Sequence, residues 1–140
     1  MDGLLFITVP GKVATKGSWR VVRGNRFLPA NDALMAYCDA IRAAAEKELP
    51  YGFSPLEGVA ITVGGSIHIA RPKSHWNARK TALRKSVPIE HIYTPDLDKI
   101  QRAIGDALEG VLYKNDSQIV AWDIRKYWDD HDSTLLRFSW

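Results

Sequence analysis

Pro95-Asp96-Leu97-Asp98-Lys99-Ile100-Gln101-Arg102-Ala103-Ile104-Gly105-Asp106-Ala107-Leu108-Glu109-Gly110 is the stretch from which the rest of the chain can be ordered. Asp96 follows a proline and stands where a helix N-cap belongs, and Gly110 marks the far end, so a helix is expected from near Asp96 to near Gly110. At about 100° per residue, Leu97, Ile100, Ala103, Ile104, Ala107, Leu108 and Val111 share one apolar face. Asp98, Arg102 and Asp106 stack on the other side. The helix can therefore be pinned to a core while it turns an acid-base-acid stripe outward. The dipole of the first turn favours carboxylates at Asp96 and Asp98.

Working toward the C-terminus, Asn115-Asp116-Ser117-Gln118 precedes a closing β-hairpin expected at roughly 118–128 and 135–140. A strand packed beside the helix would bring Asp116 close to Asp96 and Asp98. Three such carboxylates repel one another, and a bound cation resolves the repulsion. An all-oxygen donor set favours Mg²⁺, with Mn²⁺ as a substitute. A D-x-D pair also occurs in sugar-nucleotide glycosyltransferases and at ordinary capped helix starts, so spacing alone leaves three readings open. Asp129-Asp130-His131-Asp132 falls where the hairpin must reverse and reads as a solvated turn.

Working toward the N-terminus, residues 71–94 form a long irregular stretch carrying Arg71, Lys73, Arg79, Lys80, Arg84 and Lys85, with no acid between Glu57 and Glu90. Loops of that length in small domains are usually functional or mobile. A strand is expected over 59–70, with a bulge or kink at Gly64-Gly65. Before it, a helix is expected from Asn31 or Asp32 to about Leu49, with Leu34, Met35, Cys38, Ile41, Ala45 and Leu49 inward; Pro50, Gly52 and Pro55 break the chain after it. Residues 11–29 read as a loop or irregular hairpin bearing Lys12, Lys16, Arg20, Arg23 and Arg26, again without acids. Residues 4–9 read as a buried strand.

The charge follows this division. Of the 140 residues, 1–89 hold 13 Lys/Arg against 6 Asp/Glu, whereas 90–140 hold 6 against 10, within a net charge of +3. A basic front suits a polyanion, and an acidic back suits carboxylate chemistry. Cys38 is the only cysteine, which excludes an intrachain disulfide and reads as a small apolar helix residue. No apolar run approaches the roughly 18 residues of a membrane span. Met1-Asp2-Gly3-Leu4 lacks a signal peptide's basic start, so a cytoplasmic location is expected. Trp19, Phe27 and Trp76 lie among the cations and either stack on unpaired bases or pack. Trp122, Tyr127 and Trp128 read as packing residues. His75-Trp76-Asn77 with His91 hints at an H-N-H nuclease but lacks the ββα context.

Taken in order, Pro95-Asp96-Leu97-Asp98-Lys99-Ile100, Asp106-Ala107-Leu108 and Asn115-Asp116-Ser117-Gln118-Ile119-Val120 resemble the RusA family of Holliday junction resolvases, whose pattern is P-D-x-D-N, D-A-L and D-D-x-Q-V. Lys16-Gly17-Ser18-Trp19-Arg20 and Arg26-Phe27-Leu28-Pro29 look like the family's basic N-terminal loop. Arg71-Pro72-Lys73-Ser74-His75 and Leu83-Arg84-Lys85-Ser86 look like the basic insertion of its phage-type members. The resemblance implies one α+β domain over 1–140, a mixed β-sheet packed with two main helices. It also implies a homodimer that cuts four-way or other branched DNA.

On that resemblance Asp96, Asp98 and Asp116 are catalytic and bind magnesium. Arg102 stands at the position of a functional lysine, Lys99 at the usual asparagine, and Asn115 replaces the first acid of the D-D pair. An arginine cannot exchange protons near neutral pH, but it can stabilise charge on a phosphate. Lys99 is the nearby amine. Asp106 is expected to anchor Arg102 or the adjacent backbone. The basic residues named above would contact phosphates, and a junction's approximate two-fold symmetry calls for a C₂ dimer. The competing expectation is a module that binds branched DNA without cutting it.

Overall fold

Side chains alternate along a strand, and here that alternation sorts one sheet into a core face and an open face. The computed structural model describes residues 3–15, 19–22, 26–29 and 31–140, with backbone alone at 19–22, 26–29 and 31. In chain order the strands are β1 (Leu4–Pro10), β2 (Trp19–Val22), β3 (Arg26–Pro29), β4 (Ile61–Ala70), β5 (Ile119–Asp129) and β6 (Ser133–Ser139). The helices are α1 (Asn31–Glu48) and α2 (Leu97–Leu108). Leu5, Ile7 and Val9 of β1, Ile61, Val63, Ile67 and Ile69 of β4, Ile124 of β5, and Leu136 and Phe138 of β6 are buried on the core face. Both helices contribute to the same core. This is a single α+β domain with a mixed sheet and two main helices, as expected.

The sheet order is β1-β6-β4-β5, and it corrects the expected closing hairpin. β5 and β6 are consecutive in sequence, yet β4 lies between them, parallel to β5 and antiparallel to β6. The link 130–132 has to span two strand spacings, roughly 10 Å, which three residues can reach. Hydrogen bonds fix the crossing: the Ala70 N–H donates to Asp132 Oδ1 at 3.1 Å, and the Arg71 N–H donates to the Asp129 carbonyl at 2.9 Å. Asp129 also lies 3.0 Å from His68 Nδ1. The acidic turn is therefore partly structural rather than merely solvated. The Asp130 N–H donated to Asp129 is the main reason that carboxyl sits below its ordinary range.

Pairing runs through Gly64-Gly65 without the bulge that was one of the two expectations there, and the register shift falls between Ile61 and Thr62 instead. Gly65 still needs to be glycine, because at φ +149 a Cβ would collide with the Leu135 carbonyl of β6.

α1 buries Tyr37, Ile41 and Ala45 at i, i+4 and i+8, whereas Met35, expected inward, is 61% exposed. Tyr37 takes the place because its hydroxyl pairs with Thr134 Oγ1 of β6 at 2.8 Å inside the core. Burial pushes that phenol up to about 12. α2 lies against α1, where the Arg42 Nε–H donates to the Ala107 carbonyl at 3.0 Å. It ends at Leu108, two residues short of Gly110, and Gly110 turns the chain at φ +83. Leu112 and Tyr113 then return to the core, and the Tyr113 hydroxyl donates to the Gly105 carbonyl at 2.7 Å. β2 and β3 form a separate two-stranded hairpin. Among the described residues no helix is long and apolar enough to cross a membrane.

Candidate functional site

Asp96 caps α2 with extended backbone, but its carboxylate makes no capping hydrogen bond and stays available. Lys99 Nζ stands 3.7 Å from Asp96 Oδ2, both about half exposed, and such a solvated pair contributes little. Asp98 is exposed in the first turn. The chain entering this turn is held from the sheet. Lys126 of β5 donates from Nζ to the Tyr93 carbonyl at 2.8 Å and to the Pro95 carbonyl at 2.9 Å. Next to it, His91 is buried edge-on against Trp128, ring centroids 4.4 Å apart. Burial, with the Lys126 charge adding to it, lowers the pKa of His91. Its Nδ1 and the Trp128 Nε1 are buried without protein partners.

Asp116 enters from another element. It opens a single 3₁₀ turn, Asp116–Gln118, between the core residue Tyr113 and the start of β5. It rests on the one place on α2 where no side chain intervenes. Its Cβ is 3.7 Å and its Oδ2 3.8 Å from where a Cβ on Gly105 would stand. Asp98, Arg102, Gly105 and Glu109 lie within about 60° of one another around the helix axis. Asp116 thus joins the stripe at its third rung. Gly105 lies roughly 10 Å along the axis from Asp98, with Arg102 between the two.

Asp98 and Asp116 therefore border the same face of α2, with Asp96 at its start. Among the described residues no three His, Cys, Asp or Glu side chains converge to hold a metal. Mg²⁺ seldom needs such a cage, because one or two carboxylates plus substrate phosphates and water complete its shell. Exposed oxygen donors at Asp96, Asp98 and Asp116 fit that mode. Arg102 is exposed and forms no ion pair among the described residues. Asp106 therefore does not anchor Arg102, which corrects that half of the expectation.

The basic segments divide by use. Arg71 Nη1 donates to the Pro88 carbonyl at 2.8 Å, and Arg84 Nε donates to the Trp76 carbonyl at 2.7 Å, so both shape the loop they were expected to arm. Lys12, Lys73, Arg79, Lys80 and Lys85 are exposed. Lys16 and Arg23 lie outside the described residues. Arg20 is on β2 and Arg26 on β3, and the side chains of Trp19 and Phe27 also lie outside. Trp76 is half-buried and bridges to Leu83. His75 meets Trp128 edge-on at 5.0 Å, as His91 does, so the H-N-H reading has no support from their placement.

Sequence reasoning missed Lys126 and Glu109, and it quoted Gln118 within a motif without giving it a role. Lys126 had a signal: it shares the core-side register of β5 with Trp122, Ile124 and Trp128, an odd place for a lysine without a task. Glu109 Oε1 faces the Asp116 N–H at 3.4 Å, a contact that becomes visible only once the turn is placed.

An α+β domain that sets exposed carboxylates and a guanidinium without an ion pair among the described residues beside exposed cations is suited to work on a phosphate polymer. The family model of the endodeoxyribonuclease RusA matches residues 10–136, nearly the whole chain. The protein belongs to the RusA endodeoxyribonuclease family. No curated protein matches it.

Proposed function

We propose that this protein is a Mg²⁺-dependent endonuclease that resolves four-way or similarly branched DNA, acting as a homodimer with one acidic stripe per subunit. The observation that carries the reading is Arg102, exposed and without an ion pair among the described residues, on the helix face that holds Asp98 and the Gly105 against which Asp116 rests. Asp96, Asp98 and Asp116 would supply the protein's oxygen ligands to Mg²⁺, with substrate phosphate and water completing the shell and Mn²⁺ able to replace it. The bound ion would supply Lewis-acid polarisation of the phosphoryl oxygen and an activated water. Arg102 offsets the charge that grows on the phosphate at the transition state. Lys99, beside Asp96, offers a second cation on the same edge. Lys12, Lys73, Arg79, Lys80 and Lys85 take flanking phosphates, giving an affinity that falls steeply with salt.

The test is a cleavage assay on labelled four-way, three-way, flap and linear DNA, with Mg²⁺ or with EDTA. Cleavage is expected for a branched substrate only when Mg²⁺ is present. Asp96→Asn and Asp116→Asn should each abolish it, by on the order of a hundredfold or more, while junction binding survives or tightens. Binding in Mg²⁺ with every substrate left intact would reduce the protein to a branched-DNA-binding module.

A further inference from the structure

We infer that Asn115 and Gln118 are positioning residues that preset Asp116 for a divalent cation. This rests on the metal-dependent reading above. Asp116 is exposed, and no protein donor among the described residues meets its carboxylate. The backbone around it is held on several sides. The Ser117 N–H donates to Asn115 Oδ1 at 2.9 Å, and the Asn115 N–H donates to Gln118 Oε1 at 3.0 Å, a reciprocal cap around one turn. Gln118 Nε2 then donates to the Leu56 and Val59 carbonyls, each at 3.2 Å.

That second anchor is itself fixed. The Leu56 N–H donates to the Leu112 carbonyl at 2.8 Å, and the Lys114 N–H donates to the Leu56 carbonyl at 2.9 Å. The turn is therefore clamped between the 56–59 segment on one side and Gly105 of α2 on the other. Asn115, Ser117 and the Val59 region are exposed, so water would satisfy these groups without any side-chain bracket. The bracket's effect is order, since it fixes one backbone path and one direction for Asp116. Ligands fixed in this way by surrounding hydrogen bonds bind metal more tightly than mobile ones.

The same geometry accounts for the departure at Asn115. Asparagine and aspartate are equally good caps because both present an acceptor oxygen to the following N–H groups. Asn115 Oδ1 is committed to Ser117, so Asn115 serves as a cap and not as a ligand.

The experiment uses the full chain and two readouts: Mn²⁺ affinity by electron paramagnetic resonance without DNA, and the Mg²⁺ concentration for half-maximal junction cleavage. Gln118→Ala should weaken the first and raise the second by about tenfold or more, with junction affinity in EDTA unchanged. Gln118→Glu keeps the acceptor for Asn115 and loses both donors to the 56–59 carbonyls, so it should fall between Gln118→Ala and the parent. It also serves as the working variant if Gln118→Ala fails to give a native near-ultraviolet dichroism spectrum. Asn115→Ala should lose metal affinity several-fold, and Asn115→Asp should restore it. Parent-like Mn²⁺ affinity and Mg²⁺ requirement in both Gln118 variants would overturn the inference. A parent protein that neither binds Mn²⁺ nor cleaves would remove the metal reading itself, and the inference with it.

Discussion

The two ends of the acidic stripe are held in opposite ways. Asp96 and Asp98 start a helix, where the dipole and a proline fix the backbone and their carboxylates stay free of capping bonds. The chain entering its first turn is tethered by Lys126, which reaches across from β5 to the Tyr93 and Pro95 carbonyls. Asp116 has no helix of its own and depends on the clamp formed by Asn115, Gln118 and Gly105. Local sequence is enough to place a carboxylate on a helix cap. A carboxylate on a turn has to be placed by the parts of the fold that surround it.

Arg102 joins the two ends, and its removal should have the largest effect on the stripe as a whole. Arg102→Ala is expected to lower junction cleavage by on the order of a hundredfold at unchanged Mg²⁺ requirement, read in single-turnover assays. Arg102→Lys separates charge from geometry. Activity within a few-fold of the parent means that any cation there suffices, and a loss as deep as alanine means that the planar fork matters.

Lys126→Met tests the Asp96 end alone. Two carbonyls lose a charged donor, so stability should fall by about 2 kcal/mol in urea titration. Cleavage should drop roughly tenfold as the turn before Asp96 loosens. Hydrogen exchange should rise over residues 89–96 and stay unchanged at 115–118. A rise at both ends would mean that Lys126 holds the 115–118 turn as well.

pH should affect the Asp96 end as well. Burial holds the folded pKa of His91 below its ordinary 6.5, so the unfolded chain takes up the proton first. The stabilisation from neutral His91 is complete above about pH 6.5 and is lost as pH falls through the folded value. The difference in urea midpoint between the parent and His91→Phe should therefore drift in favour of the variant as pH drops from about 7.5 to about 5.5. A constant difference across that range would mean that His91 takes up its proton at the same pH in the folded and unfolded chain.

The smallest change is expected at the opposite end. A Cβ at Gly105 would meet Asp116 at ordinary contact distances of 3.7 and 3.8 Å. Gly105→Ala should therefore be accepted, adding about 0.5–1 kcal/mol of helix stability and raising Tm by a few degrees. A fall in Tm would show that Asp116 has no freedom to shift.

The sequence by itself determined the helix from Asp96, its apolar face, the strands and the two basic segments, because each rests on local periodicity or on a cap. It also supplied the family, through motifs carried in order along the chain. Three things were decided only by the tertiary structure. β4 lies between β5 and β6, since the partner of a strand is chosen by long-range packing that no local pattern encodes. Tyr37 displaces Met35 from the core, since its hydroxyl finds Thr134 on a strand 97 residues away. Asp116 lies on Gly105 of α2, since an exposed turn takes its position from whatever clamps it, here Gln118 reaching back to Leu56 and Val59.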